Sequence, residues 1–150
     1  MPRIEWTLFA LSYAVDQQSN SLSVFNVIEE IAVPPEVPEP SAPDQIVAVG
    51  PTFSLINMWA RSEPEIPEER FVRVQVKVPD GRVAALTEFK LDLRGGQRSR
   101  TINTFKFLPF TGTGDYRFAI EVKSGEDTWQ NVLEAILPVR RAPTPAEGVG

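Results

Sequence analysis

The side chains that could do chemistry in this chain are carboxylates, because its 150 residues include no histidine and no cysteine. Without imidazole or thiol groups, the usual general bases, nucleophiles and transition-metal ligands are missing. Acids such as Glu29, Glu30, Glu121, Glu126 and Asp127 could serve a glycosidase-like hydrolase, which works with two carboxylates. Their spacing pairs no acid with a base. The sequence therefore favours a protein that is not an enzyme.

Two other patterns could indicate a bound ion or cofactor. Residues 63–69 and 124–127 are rich in acids, but neither run has the ligand spacing of a calcium loop. Gly95 and Gly96 precede a strand pattern, whereas phosphate-binding glycines lead into a helix N-terminus. We therefore expect surface turns at all three places, with no metal site and no cofactor.

The composition is that of a globular protein, with 42% hydrophobic and 23% charged residues. A net charge of −5 lacks the basic patch of a nucleic-acid-binding protein. No stretch approaches the ~18 apolar residues of a membrane span, and residues 6–14 lack the basic flank of an export signal. We expect one cytoplasmic domain over residues 1–140 that binds neither nucleic acid nor membrane. Residues 141–150, rich in proline, alanine and glycine, are expected to form a flexible tail.

Alternation of polar and apolar residues dominates the chain. Val72, Val74 and Val76 alternate with Arg73 and Gln75, which is typical of an antiparallel strand with one buried face. Patterns of this kind predict strands at residues 4–15, 22–33, 46–60, 71–78, 83–93, 100–108, 115–123 and 132–139. Gly50-Pro51 interrupts the segment at residues 46–60, as a bulge or bend on an edge strand would.

Turn residues join these segments. Residues 79–82 (PDGR) and the polar residues 16–21 are expected to close hairpins. Seven to nine short strands without a capped helix predict an all-β, antiparallel β-sandwich, immunoglobulin-like or a related Greek key. In this sandwich we expect one inner face, with Val72, Val74, Val76 and Val78, to pack on another, with Tyr116, Phe118, Ile120 and Val122.

A glycine two residues before Tyr116 resembles the start of a tyrosine corner, a feature of immunoglobulin-like folds. In that arrangement the Tyr116 hydroxyl would bond to the backbone of the preceding corner. Phe118 stands where antibody domains have a cysteine. Apolar packing of Phe118 would then replace the disulfide between the two sheets.

Residues 34–44 (PPEVPEPSAPD) combine five prolines with three acids. We expect an extended, polyproline-like connection over the surface, since proline cannot join a sheet ladder. A Pro-x-x-Pro docking motif is the functional interpretation, present as Pro35 with Pro38 and as Pro40 with Pro43. Neither copy has the adjacent arginine or lysine that would orient it in an aromatic groove.

Residues 9–34 (FALSYAVDQQSNSLSVFNVIEEIAVP) carry a family resemblance that extends over roughly residues 4–140. They resemble the opening of a family of small bacterial proteins known only as a domain of unknown function, although Asn26 replaces the usual glycine. The resemblance implies a compact β-sandwich and no particular activity. The positions that match the family's opening pattern are Tyr13, Ala14, Asp16, Gln17, Leu22, Ser23 and Pro34.

Trp129 is the main candidate for a binding residue, because we expect it in a polar loop at residues 124–131, where an exposed tryptophan can anchor a protein or a sugar. With the four prolines above, it favours a non-catalytic protein-binding or assembly module. The partner would be another protein or a second copy. One alternative is a carbohydrate-binding module, with Trp59 and Trp129 on one exposed face beside Asn57, Asn131 or Gln130. The carboxylate-based hydrolase is the less favoured alternative.

Overall fold

Residues 1–144 form an all-β structure of eleven strands in three sheets, more strands than the seven to nine predicted. This computed structural model describes residues 1–144, and the described residues contain no helix that could cross a membrane. The strands are β1 (Arg3–Val15), β2 (Leu22–Ile28), β3 (Ile31–Val33), β4 (Val47–Val49), β5 (Phe53–Ala60), β6 (Glu68–Lys77), β7 (Val83–Leu93), β8 (Arg98–Phe105), β9 (Leu108–Phe110), β10 (Gly114–Lys123) and β11 (Trp129–Arg141).

The strands are arranged as a four-stranded sheet, β2-β1-β5-β8, a five-stranded sheet, β3-β11-β10-β6-β7, and a small pair, β4-β9. All pairs are antiparallel except β3 with β11. The predicted packing of the Val72 face on the Phe118 face is wrong. β6 and β10 are neighbours in the same sheet, with Val76 opposite Phe118 and Val74 opposite Ile120. Alternation identifies a buried face, but it does not say in which sheet that face lies.

Three predicted strands are each divided in the structure. The segment at residues 22–33 forms β2 in one sheet and β3 in the other, with Glu29 and Glu30 crossing between them. The segment at residues 46–60 forms β4 and β5, separated by a cis peptide bond before Pro51. The prediction of an edge strand here is wrong, because β5 lies between β1 and β8. Likewise, the segment at residues 100–108 ends as β8 at Phe105, and β9 begins at Leu108.

The β1–β2 hairpin curls back over the outer face of the four-stranded sheet. Trp6 lies level with Met58 and Arg100, so a straight hairpin would carry its tip roughly 30 Å beyond Arg100. Arg100 nevertheless donates a hydrogen bond to the carbonyl of Asn20, at the tip, over 2.9 Å. The bend explains why Ile56 is fully buried although alternation turns it away from the main core.

Short polar segments shape this hairpin as predicted. The Asp16 carboxylate accepts bonds from the backbone amides of Gln18 and Ser19, which closes the turn. Asn26 has a φ of 55°, a conformation that glycine and asparagine adopt most readily. An asparagine at this position is therefore compatible with the backbone that the hairpin requires.

The main core lies between the two larger sheets. Phe118 of the five-stranded sheet makes edge-to-face contacts with Phe9, Phe53 and Phe105 of the four-stranded sheet, with ring centroids 4.9 to 6.0 Å apart. The predicted hydrogen bonds of Tyr116 are present: its hydroxyl donates to the Gly112 carbonyl over 2.8 Å and accepts from the Thr111 amide over 2.9 Å. Apolar packing therefore joins the sheets where Phe118 was predicted to replace a cysteine.

Candidate functional site

Trp129 is placed differently from the prediction. It is the first residue of β11, opposite Lys123, and the loop before it is a tight turn in which the Ser124 amide donates to the Thr128 carbonyl. A register shift after Ile120 lets β11 continue in strand conformation to Trp129. The side chain is half-buried and lies on the outer face of the five-stranded sheet. The residue remains a candidate, but as part of a sheet face.

The surface required by a carbohydrate-binding module is not formed by the residues we considered. Trp59 is fully buried and donates its indole N–H to the Thr101 hydroxyl over 2.9 Å. Asn57 is also fully buried. Neither residue can therefore share an exposed platform with Trp129, and no observation favours this alternative.

A row of cations and aromatic rings runs across the outer face of the five-stranded sheet, on β7, β6, β10 and β11 in that order. Phe71 is 52% exposed, and the Nζ atoms of Lys90 and Lys123 lie 5.5 and 6.0 Å from the centre of its ring. Lys123 is followed across the sheet by Trp129. These four residues, Lys90, Phe71, Lys123 and Trp129, are named the aromatic row.

The neighbouring row carries charges. Register places Glu88, Arg73, Glu121 and Asn131 beside one another on the same four strands, and we name them the charged row. Arg73 donates to both carboxylate oxygens of Glu121 over 3.3 and 3.2 Å. Its guanidinium carbon also lies 4.4 Å from the centre of the Trp129 ring. The fork and the ring contact together orient Arg73 over Trp129.

The two rows together form what we call the striped face. Sequence reasoning found Trp129 but not Phe71, although a signal was present. Phe71 lies two residues from the outward Arg73 and one residue from the buried Val72. Because successive side chains of a strand point to opposite faces, Phe71 must point outward. Single exposed apolar side chains are common on protein surfaces, so it is the two lysines beside the ring that make Phe71 a candidate.

The proline-rich segment does not have the predicted polyproline conformation. It contains turns, with the Val37 amide bonded to the Pro34 carbonyl and the Gln45 amide to the Ala42 carbonyl. Arg141 holds the segment through the carbonyls of Pro34 and Val37 and the carboxylate of Glu39, and Val37 packs on the core.

The candidate docking prolines remain on the outside of this anchored segment. Pro35, Pro38 and Pro43 are exposed, whereas Pro40 is half-buried. Arg141, which was predicted to start a flexible tail, lies in β11 and bonds to the segment. The rest of the predicted tail from residue 145 onward lies outside the described residues.

The carboxylates considered for hydrolysis are engaged in ion pairs or lie apart. Glu30 pairs with Arg140 over 2.7 Å and Glu121 with Arg73 over 3.2 Å. Within residues 1–144, no group of three acidic side chains is arranged to hold a metal ion. The hydrogen bond from Arg140 lowers the pKa of Glu30, whereas a general acid requires a raised pKa.

The pH dependence of stability follows from these lowered pKa values. Hydrogen bonds from the Arg94 side chain and amide lower the pKa of Asp92 to about 2, from 3.8. A lowered carboxyl pKa stabilises the fold above the unfolded pKa, and this contribution is lost as the pH falls toward the folded pKa. We therefore expect the denaturation midpoint to be flat from about pH 6 to 8 and to decline below about pH 4. The pKa is also lowered for Asp16, Glu68 and Asp80.

Urea denaturation at a series of pH values, followed by circular dichroism, measures this profile. A steep change in the midpoint between about pH 6 and 8 would contradict the prediction, because no side chain in this chain has an unperturbed pKa in that window. Such a change would indicate a strongly shifted carboxyl group.

A second set of exposed apolar side chains lies on the curled hairpin. Tyr13, Val15, Phe25 and Val27 are each about two-fifths to one-half exposed. Register divides them between the two faces of the ribbon, because Ser12 opposes Phe25 and Tyr13 opposes Val24. They therefore form no single patch comparable with the striped face.

A scan against models of known protein families gives no match, and a search of curated proteins finds no similar protein. The resemblance to the bacterial family of unknown function stays a prediction.

Proposed function

We propose that this chain is a non-catalytic protein-binding or assembly module, built on an immunoglobulin-like β-sandwich, and that its binding surface is the striped face. The observation that carries the proposal is the exposed ring of Phe71, flanked by two lysines on an otherwise regular sheet face. Phe71 is 52% exposed, so part of its apolar surface is not covered by the fold. A partner would gain a large apolar contact with charges at its border.

Strand order supports the immunoglobulin-like part of the proposal. Such domains place strands A, B and E in one sheet and strands G, F, C and C′ in the other. Here β1, β5 and β8 correspond to strands A, B and E, and β11, β10, β6 and β7 correspond to strands G, F, C and C′. The remaining strands, β2, β3, β4 and β9, are additions to this plan.

Side-chain packing supports the same assignment. Antibody domains link strands B and F by a disulfide between the sheets. In this chain the corresponding strands, β5 and β10, are joined by Phe53 and Phe118, whose ring centroids lie 6.0 Å apart at an interplanar angle of 81°. Tyr116, two residues before Phe118, makes the corner hydrogen bonds of strand F.

The chemistry of the striped face favours a protein as the ligand. Tryptophan, aromatic and arginine residues are enriched where binding energy concentrates in protein interfaces. Lys90 and Lys123 would attract acidic groups around an apolar side chain that contacts Phe71. Because Arg73 is already held by Glu121, little side-chain freedom is lost there on binding.

The test is a comparison of Phe71→Ala with a matched control, Phe107→Ala. The two rings are almost equally exposed, at 52% and 51%, but Phe107 lies in the connection between β8 and β9 and not on the striped face. Each tagged protein is returned to the source cells, and co-purifying proteins are quantified by mass spectrometry. Loss of a central aromatic anchor typically weakens binding by ~2 kcal/mol or more, about thirtyfold.

We expect a set of proteins that the wild type and Phe107→Ala recover equally and that Phe71→Ala loses. Equal recovery by all three proteins would remove the striped face as the binding surface. The denaturation midpoints of both variants, compared with wild type, verify that the fold is intact.

A further inference from the structure

Strand β7 is a long edge with no strand on one side, although the carbonyl of its last residue, Leu93, accepts a hydrogen bond from Arg61 Nε over 2.7 Å. It pairs with β6 along almost its whole length and forms the border of the five-stranded sheet. Its eleven residues contain no proline, and their exposure alternates regularly from Leu86 to Leu93. Exposed backbone groups on such an edge are a template for another strand, and proteins usually obstruct them.

The other edges of the two larger sheets are obstructed. On β2 the backbone is interrupted by Asn26, at a φ of 55°. β3 has only three residues. β8 is approached by the tip of the curled hairpin, where Arg100 donates to the Asn20 carbonyl over 2.9 Å, and Arg98 is paired with Glu5 of β1. Of these edges, β7 is the one with both length and regularity.

The outward charges of β7 alternate in sign. Glu88, Lys90 and Asp92 follow one another on the outer face, whereas Phe89 and Leu91 point inward. In an antiparallel pair related by a two-fold axis, the residue at the axis lies opposite its own copy. An axis at Glu88 or Lys90 would therefore bring identical charges together. Symmetry thus favours an axis at an inward residue.

An axis at Phe89 satisfies all these conditions. It places Glu88 of each copy opposite Lys90 of the other, which gives two complementary pairs. It also aligns residues 85–93 of both strands, of which the Leu93 carbonyl at the end is already held by Arg61. An axis at Leu91 would also oppose unlike charges, but the overlap would shrink to residues 89–93. The inward ring of Phe89 packs on the core of its own chain and would meet its own copy at the axis.

We propose that two copies of this chain associate through antiparallel pairing of their β7 strands, with the two-fold axis at Phe89. The two five-stranded sheets then join into one continuous sheet, and their striped faces lie on the same side. This inference rests on the proposed function and deepens it, because it names one partner as a second copy and presents the binding face twice. Two linked faces bind a repetitive or dimeric partner more strongly than one.

Charge exchange within β7 tests the pairing. Glu88→Lys and Lys90→Glu each place like charges opposite one another in both pairs. The double variant, E88K with K90E, restores two attractive pairs with the positions of the charges exchanged. The mass in solution is measured by sedimentation and by light scattering over a wide range of protein concentration. We expect each single variant to dimerise about tenfold or more weakly than the wild type, and the double variant to dimerise as the wild type does.

A second measurement does not depend on charge. Because the chain has no cysteine, Phe89→Cys introduces a single thiol that would face its own copy across the axis, within ~5.5 Å between Cβ atoms. We expect mild oxidation to give a disulfide-linked dimer, and Thr111→Cys, far from the axis, to give none. Circular dichroism verifies that each variant is folded.

Three results would overturn the inference: a wild type that is monomeric at every concentration, a dimer insensitive to the single variants, or single variants that the double variant does not rescue. These results are separate from the test of the striped face. A monomer whose partners are still lost in Phe71→Ala contradicts the dimer and leaves the proposed function standing. If instead the wild type dimerises, the double variant restores the dimer, and Phe71→Ala loses no partner, the dimer stands and the striped face is not the binding surface.

Discussion

Phe118→Ala is expected to lower the free energy of unfolding by about 3 to 5 kcal/mol, a large part of the stability of a domain of this size. Phe118 is fully buried, and its ring contacts Phe9, Phe53 and Phe105 across the two sheets. Alanine would leave a cavity surrounded by three rings. Those rings are fixed by their own strands, so the cavity would close only partly.

Urea denaturation measured by tryptophan fluorescence checks this value. Phe107→Ala is the control, because Phe107 is half exposed and its loss removes little buried surface. We expect the control to stay within about 1 kcal/mol of the wild type. An unchanged midpoint for Phe118→Ala would contradict the placement of this residue between the sheets.

Gly114→Ala is expected to destabilise the fold by about 2 to 5 kcal/mol, for two independent reasons. Gly114 has a φ of +140°, a conformation that residues with a side chain rarely adopt. A Cβ atom at this position would also lie 3.0 Å from the Cβ and Cγ atoms of Pro79. Backbone strain and overpacking each cost about 1 to 3 kcal/mol.

Gly95→Ala is the matched control, because no atom lies within 4 Å of the position its Cβ would take. The same denaturation experiment compares the two variants. Equal midpoints for Gly114→Ala and Gly95→Ala would mean that the corner between β9 and β10 does not pack against Pro79 as described.

Local features of the fold could be predicted from the sequence because they depend on neighbouring residues. Alternating valines identify β6, and Pro79 to Arg82 form the turn that the residue types require, with Gly81 at a φ of 94°. The hydrogen bonds of Tyr116 were predictable because the corner motif spans only a few residues. In each case the determining contacts lie within about one turn or hairpin.

Long-range features were not predictable in this way. β6 and β10 have the same kind of pattern whether they lie side by side or face to face, so the sequence does not choose between these arrangements. The curl of the β1–β2 hairpin depends on Arg100, which follows its bonding partner Asn20 by eighty positions. Strand β5 is buried on both faces, its polar residues Ser54 and Asn57 included, because the curled hairpin covers the face that is turned away from the main core.

The candidate site shows the same division. Trp129 was identified by its residue type. Its position on a sheet face depends on the register shift between Ile120 and Glu121, which the neighbouring residues do not predict. The aromatic and charged rows exist only because four strands bring their outward residues into line. The proline-rich segment was expected to be extended, and its anchoring by Arg141 arises from a residue about a hundred positions away.

The most direct test of the central claim, binding through the striped face, is hydroxyl-radical footprinting of the protein alone and with a partner recovered by the wild type. The free protein should be labelled strongly at Phe71. We expect the partner to protect Phe71 and Trp129 while the labelling of Phe107 stays constant. Undiminished labelling of Phe71, with protection of Phe25 and Val27 on the curled hairpin, would rule out the striped face and place binding on the other sheet.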